Sequence, residues 1–276
     1  MKKGLTKAGI GNVDDVLFIQ KAAEYGFAAV DLDMRSIMHE AGLDKIKTTL
    51  ETNGIVIGAA DLGVDWRNGS DAFARDLSKL AGYAAAANQL KIPVFTTYIL
   101  PSTDEKPALY MARVIHRLRD CAKILGGQGI KLALEFVGPH HLRTAWKHPL
   151  IWTIDETLEL IDAIDLPNVG LLLDCYHCYT TEMGEDRWNT LRPEQIVHVH
   201  INDAKDKPID QLQDNERLYP GEGVIDVGSF LRSLERLGYD GVVSQEVLTQ
   251  EEQDTTVDAL FERSRAGFAR AFDFGG

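Results

Sequence analysis

The sequence predicts an α/β protein built as one (β/α)8 TIM barrel spanning residues 1–276, and three observations carry that reading. Short apolar runs alternate with amphipathic stretches along the whole chain, in βα order and without a low-complexity linker. A length of 276 residues and an apolar content of 45% suit a single barrel with a filled core. Four strand-like runs in the second half each finish on a carboxylate or a histidine, on the side where barrels carry their sites.

The strands are predicted at 5–10, 28–33, 55–61, 93–99, 130–136, 169–174, 196–202 and 241–247. Helices follow at 13–25, 43–53, 71–89, 107–126, 154–164, 226–237 and 255–272, with none assigned to the sixth connection, 181–192. Gly26 and Gly238 stand where helices should stop, each before an aromatic and a β-rich run, and EYGFAAVDLD and RLGYDGVVSQEV echo one another as repeated βα units would. Asp226 is placed to cap the helix that follows it. Two connections, 138–153 and 203–225, exceed the usual loop length, and both fall on the C-terminal side of the predicted barrel, where they can wall or cover a small substrate.

The formal charge of −13 opposes binding to a nucleic-acid backbone or an anionic membrane. The basic start MKKGLTKAGI has no apolar core behind it and no run is long enough to span a bilayer, so the expectation is a cytoplasmic protein with neither membrane nor nucleic-acid partners. Cys121, Cys175 and Cys178 are too few and too unevenly spaced for a disulfide scaffold, and the C-x-x-C of Cys175 and Cys178 reads as incidental.

The chemistry concentrates in KLALEFVG, VGLLLDCYH, IVHVHIND and GVVSQEVL, which end on Glu135, Asp174, His200 and Glu246. A charge that closes a buried apolar run is costly to desolvate unless it is paired or ligated. Singly, either glutamate can be the partner of a basic residue and Asp174 can cap a helix. Together, at the ends of strands five to eight, they point to one shared divalent cation. Three carboxylates and one imidazole make a hard donor set that suits Mn²⁺, Mg²⁺ or Co²⁺, with Zn²⁺ also compatible. Pleating places Ala133, Leu172, His198 and Ser244 one layer below, and His198 reads as a hydrogen-bonded support rather than a ligand.

The stretches KLALEFVG, NVGLLLDCYH, VHINDAKDKPI, DNERLYPGEGVIDV and DGVVSQEV resemble the xylose-isomerase-like sugar isomerase and epimerase superfamily, and within it the inosose isomerases of inositol catabolism. The resemblance lies mainly in the second half. It implies that Glu135, Asp174, His200 and Glu246 hold one divalent ion, with Mn²⁺ first, and that His177 and Arg217 contact substrate oxygens. It also implies a small keto-sugar or keto-polyol substrate and a dimer or higher assembly. Such a site acidifies the C–H beside a ketone, and Glu135 and Glu246 would act as base and acid across a cis-enediolate. Isomerisation, epimerisation and dehydration all share those residues.

Two features refine the substrate. Ketose 3-epimerases carry a glutamate six residues after the first ligand, where this chain has His141, which turns the reading toward a cyclic keto-polyol such as a keto-inositol. His141, in the loop GPHHLRTAW, is then a pocket residue, and Trp66 either stacks on a sugar face or packs beneath a loop. A zinc-dependent DNA-repair endonuclease of the same superfold needs earlier histidines that are missing here, where the corresponding strand ends offer Asp61 and Tyr98. A barrel that binds sugar without turnover is the remaining alternative.

Overall fold

In the computed structural model, which describes residues 1–188, 190–250 and 255–273, eight parallel strands close into a barrel. They are β1 (Lys2–Leu5), β2 (Ala29–Leu32), β3 (Val56–Asp61), β4 (Val94–Ile99), β5 (Lys131–Phe136), β6 (Val169–Asp174), β7 (Ile196–Ile201) and β8 (Val242–Gln245). Each pairs with its neighbours in sequence, and β1 closes the ring against β8 and β2. The principal helices are α1 (Asp15–Glu24), α2 (Leu43–Asn53), α3 (Ser70–Gln89), α4 (Pro107–Gly126), α5 (Ile154–Ile164), α6 (Cys175–Thr180), α7 (Val227–Arg236) and α8 (Val257–Ala271).

The strand faces divide as a period of two requires. Leu132, Leu134 and Phe136 of β5 join the large core under the helices, whereas Ala133, with Ala59, Val94 and Leu172, forms a small separate cluster. The interior is narrow at β1. A Cβ on Gly4 would stand 2.6 Å from Ser244 Oγ and 2.7 Å from Val242 Cγ1, so only glycine lets β1 and β8 approach there.

Helix ends follow local chemistry. The Asp226 carboxylate accepts the Ser229 amide at 2.8 Å, as expected of an N-cap, and Gly26 and Gly238 carry φ of 81° and 82° just past their helices. Thr153 and Glu156 complete a reciprocal capping box on α5.

One strand differs from the expectation. The first strand is Lys2–Leu5, not 5–10, because Lys7 to Ile10 form a bend and turn after it and Gly9 takes φ 85°. The sixth connection, 181–192, left without a helix, holds a one-turn helix at Glu185–Trp188, and α6 precedes it directly after β6. The predicted end of the last helix, residue 272, falls one residue past α8. Among the described residues, no helix is long and apolar enough to cross a membrane.

Candidate metal centre

Glu135, Asp174, His200 and Glu246 converge at the C-terminal mouth, with one donor atom from each lying within 4.8 Å of the others. Donors on opposite sides of a small dication at ~2.2 Å stand roughly 4.4 Å apart, so this spread is close to that of a shared ion. His200 Nδ1 lies 3.8 Å from Glu135 Oε1 and 3.5 Å from Glu246 Oε2. Both Glu135 Oε1 and His200 Nδ1 are buried without a hydrogen-bond partner. Buried polar atoms are almost always satisfied, and two orphans that face each other across a cluster of carboxylates fit a bound cation.

The strands supply the positions and the following residues lock them. Asp174 both joins the cluster and caps α6, its Oδ1 accepting the Tyr176 amide at 2.7 Å, so capping does not remove it from the cluster. Asn202, one residue past β7, donates to both Asp174 oxygens at 3.2 and 3.1 Å and to the Glu246 carbonyl at 3.1 Å.

Charge in the cluster is uneven. Burial, then the neighbouring Glu246 and Asp174, push the Glu135 carboxyl well above its ordinary value. Burial would raise Glu246 too, but His200 and Arg217 outweigh it and hold that carboxyl at about 2. Burial alone would discharge His200, yet Glu246, Asp31 and Glu135 raise it well above the ordinary imidazole.

The expected substrate contacts separate into two groups. Arg217, only 2% exposed, enters from the loop after β7, its Nη1 2.8 Å from Asp174 Oδ2 and 3.0 Å from Glu246 Oε2. His177, on α6, turns Nε2 toward Arg217 Nη2 at 3.3 Å and Glu135 Oε1 at 3.9 Å. Both stand in the site. Trp66 does not line it: the ring is fully buried, donates Nε1–H to Thr97 Oγ1 at 2.9 Å, and is covered by Arg67 at 4.3 Å. Of the two readings of Trp66, packing beneath a loop is the one observed. His141 lies half-buried on the turn His140–Arg143, outside the cavity lining.

That cavity opens beside the cluster, toward β1–β4, with a volume of about 350 Å³. Besides Glu135, His200 and Glu246 it presents Lys7, Asp31, Asp33, Asp61, Thr96 and Tyr98, while Asp174, His177 and Arg217 are not among its lining residues. Of these, Asp31 is the residue that strand-end reasoning overlooked. Its Oδ2 lies 2.7 Å from His198 Nε2 and 3.6 Å from His200 Nε2, and its Oδ1 accepts the Ala59 amide at 2.9 Å. His198 is thus a hydrogen-bonded support, as its place one layer down implies. Cys175 and Cys178 are buried free thiols, both pushed up by burial, which opposes a redox role.

Residues 19–266 match the family model described as xylose isomerase-like TIM barrel. The chain belongs to this family. A xylose isomerase domain protein from Alicyclobacillus acidocaldarius superposes with a TM-score of 0.92 at 32% identity, each chain covered to 99%. An inosose isomerase from Halalkalibacterium halodurans is 28% identical over 234 residues, 79% of this chain and 80% of that protein. The IOLI protein, whose structure holds a zinc atom, shares the fold with a TM-score of 0.84 at 21% identity, covering 99% and 98% of the two chains.

Proposed function

We propose that this protein is a divalent-metal-dependent isomerase or epimerase of a keto-inositol or related keto-sugar, working by proton transfer through a cis-enediolate. The observation that carries this reading is the convergence of Glu135, Asp174, His200 and Glu246 around two buried, unpartnered donor atoms. Those four residues would hold the ion, with Mn²⁺ preferred for the oxygen-rich set and Mg²⁺, Co²⁺ and Zn²⁺ compatible. Bound there, a dication supplies Lewis acidity that polarises a ketone and acidifies the adjacent C–H.

The protein's own groups do the rest. Glu135, on β5, and Glu246, just past β8, approach His200 Nδ1 from two sides, which suits one carboxylate to remove a proton and the other to return one. Arg217 and His177 stand beside both glutamates, ready to hold substrate oxygen and to steady charge that develops on it. The cavity wall of Lys7, Asp33, Asp61, Thr96 and Tyr98 offers hydroxyl partners on several sides, as a polyol requires, while its carboxylates oppose a phosphorylated substrate.

The inosose isomerase relative supports the substrate class, and the zinc in the IOLI protein supports a divalent ion on this fold. Product analysis by NMR tests the reading. Incubation of keto-inositols with the Mn²⁺-loaded protein is expected to give a positional isomer or epimer with solvent deuterium at the migrating position. An unsaturated product would reassign the reaction to dehydration, and the absence of both product and exchange would leave a binding protein.

A further inference from the structure

Tyr98 is the only Phe, Tyr or Trp among the described residues that line the cavity beside the metal centre, and it is 46% exposed. Its place follows from the strand. Val94 of β4 lies in the small interior cluster while Phe95 and Ile99 join the core under the helices, so a period of two turns Tyr98 inward at the mouth. In register Tyr98 stands opposite Glu135 of β5, which puts the two side chains on the same face, one strand spacing apart.

The ring is held by the residue next to Trp66. The Arg67 guanidinium lies over the Trp66 ring, 4.3 Å from its centroid, and over the Tyr98 ring at 3.9 Å. Its Nη2 donates to Thr97 Oγ1 at 3.3 Å and to the Tyr98 carbonyl, so moving it away breaks both bonds. Arg67 is not among the residues that line the cavity. One face of the Tyr98 ring is therefore closed from behind, and the face left open is the one that meets the cavity.

We propose that Tyr98 is a stacking platform for the substrate and selects a cyclic polyol over an open-chain one, an inference that rests on the polyol reading above. A six-membered polyol ring with equatorial hydroxyls turns its axial C–H groups to one side as a flat apolar face, which an exposed aromatic face matches. The hydroxyls project at the rim of that ring, and Lys7, Asp33, Asp61 and Thr96 of the same cavity offer them partners. An open-chain ketose has no continuous face of this kind. The register ties the platform to the chemistry, because a ring resting on Tyr98 has Glu135 on the neighbouring strand. The stacking role that residue type offers Trp66 falls instead to Tyr98, with Trp66 buried under the same guanidinium.

Proton NMR and titration calorimetry of the Mg²⁺-loaded chain test the platform without relying on turnover. The probes are scyllo-inositol, whose hydroxyls are all equatorial, and sorbitol, an open chain. In the wild type the C–H resonance of scyllo-inositol should move upfield on titration, as the ring current of a stacked aromatic requires, and this readout needs no variant. Tyr98→Phe should keep that shift. Tyr98→Leu should lose it and bind scyllo-inositol roughly threefold to tenfold more weakly, while sorbitol changes by less than about twofold. Saturable binding of scyllo-inositol without the upfield shift, or a Tyr98→Leu variant that treats both polyols alike, would overturn the platform and leave the polyol reading standing. If the wild type binds neither polyol, the polyol reading fails and the platform with it.

Discussion

Asp31 joins two histidines of one strand: its Oδ2 lies 2.7 Å from Nε2 of His198 and 3.6 Å from Nε2 of His200. The carboxylate thereby orients the His200 ring so that Nδ1 faces Glu135 and Glu246. Partners of this kind typically change metal affinity by ~10–100-fold. Asp31→Asn is expected to weaken Mn²⁺ binding by about that factor in calorimetry. Unchanged affinity would show that the ring is held by its packing alone.

Glu135→Gln separates the cost of the cluster from its use. Without an ion, burial and the neighbouring carboxylates already oppose the charge on Glu135, so the amide should leave the melting temperature of the metal-free protein unchanged or raise it. The wild-type chain should gain about 2.7 kcal/mol of stability when Mn²⁺ stands at a hundred times its dissociation constant. The variant should lose most of that gain. Thermal melts with and without Mn²⁺ measure both.

Arg217 is buried against Asp174, Asp214 and Glu246, with nitrogen to oxygen distances of 2.8, 2.7 and 3.0 Å. Its loss strands those charges. Arg217→Met should destabilise the metal-free protein by about 3–5 kcal/mol in urea unfolding, far beyond a surface ion pair. A change below about 1 kcal/mol would mean that the carboxylates are hydrated once the guanidinium is gone.

His177 faces Glu135 and Arg217 from α6, outside the four-residue cluster. His177→Ala should impair turnover while the ion stays bound, measured by product formation beside metal analysis. Loss of the ion would make His177 a ligand.

Acid should unfold the metal-free chain through Glu246. Its carboxyl is held at about 2 in the folded chain against an ordinary 4.5, so its contribution to stability is full above 4.5 and is lost as pH falls toward 2. Glu246→Gln should flatten the stability profile across that window. An unchanged slope in urea titrations at stepped pH would place the acid sensitivity elsewhere.

The strands and helices were legible because the barrel repeats one hydrophobic rhythm, and the four clustered residues because each closes an apolar run that should not end in a charge. β1 was misplaced for the converse reason. Its residues include Lys2, Lys3 and Gly4, and backbone pairing with β8 and β2, rather than apolar side chains, makes it a strand. Asp31 shows the same alternation within AVDL as the four clustered residues, but its meaning depends on His198, 167 residues away, which no local pattern reports. Trp66 illustrates the limit of residue type as a guide. An aromatic after a barrel strand can face a sugar or seal a loop, and the buried Thr97 hydroxyl and the covering Arg67 decide for sealing.

The most direct test of the central claim is anomalous scattering from crystals grown with Mn²⁺. One strong peak is expected within bonding distance of Glu135, Asp174, His200 and Glu246. A peak held instead by Asp31, His198 and His200, or no peak at the barrel mouth, would contradict the account.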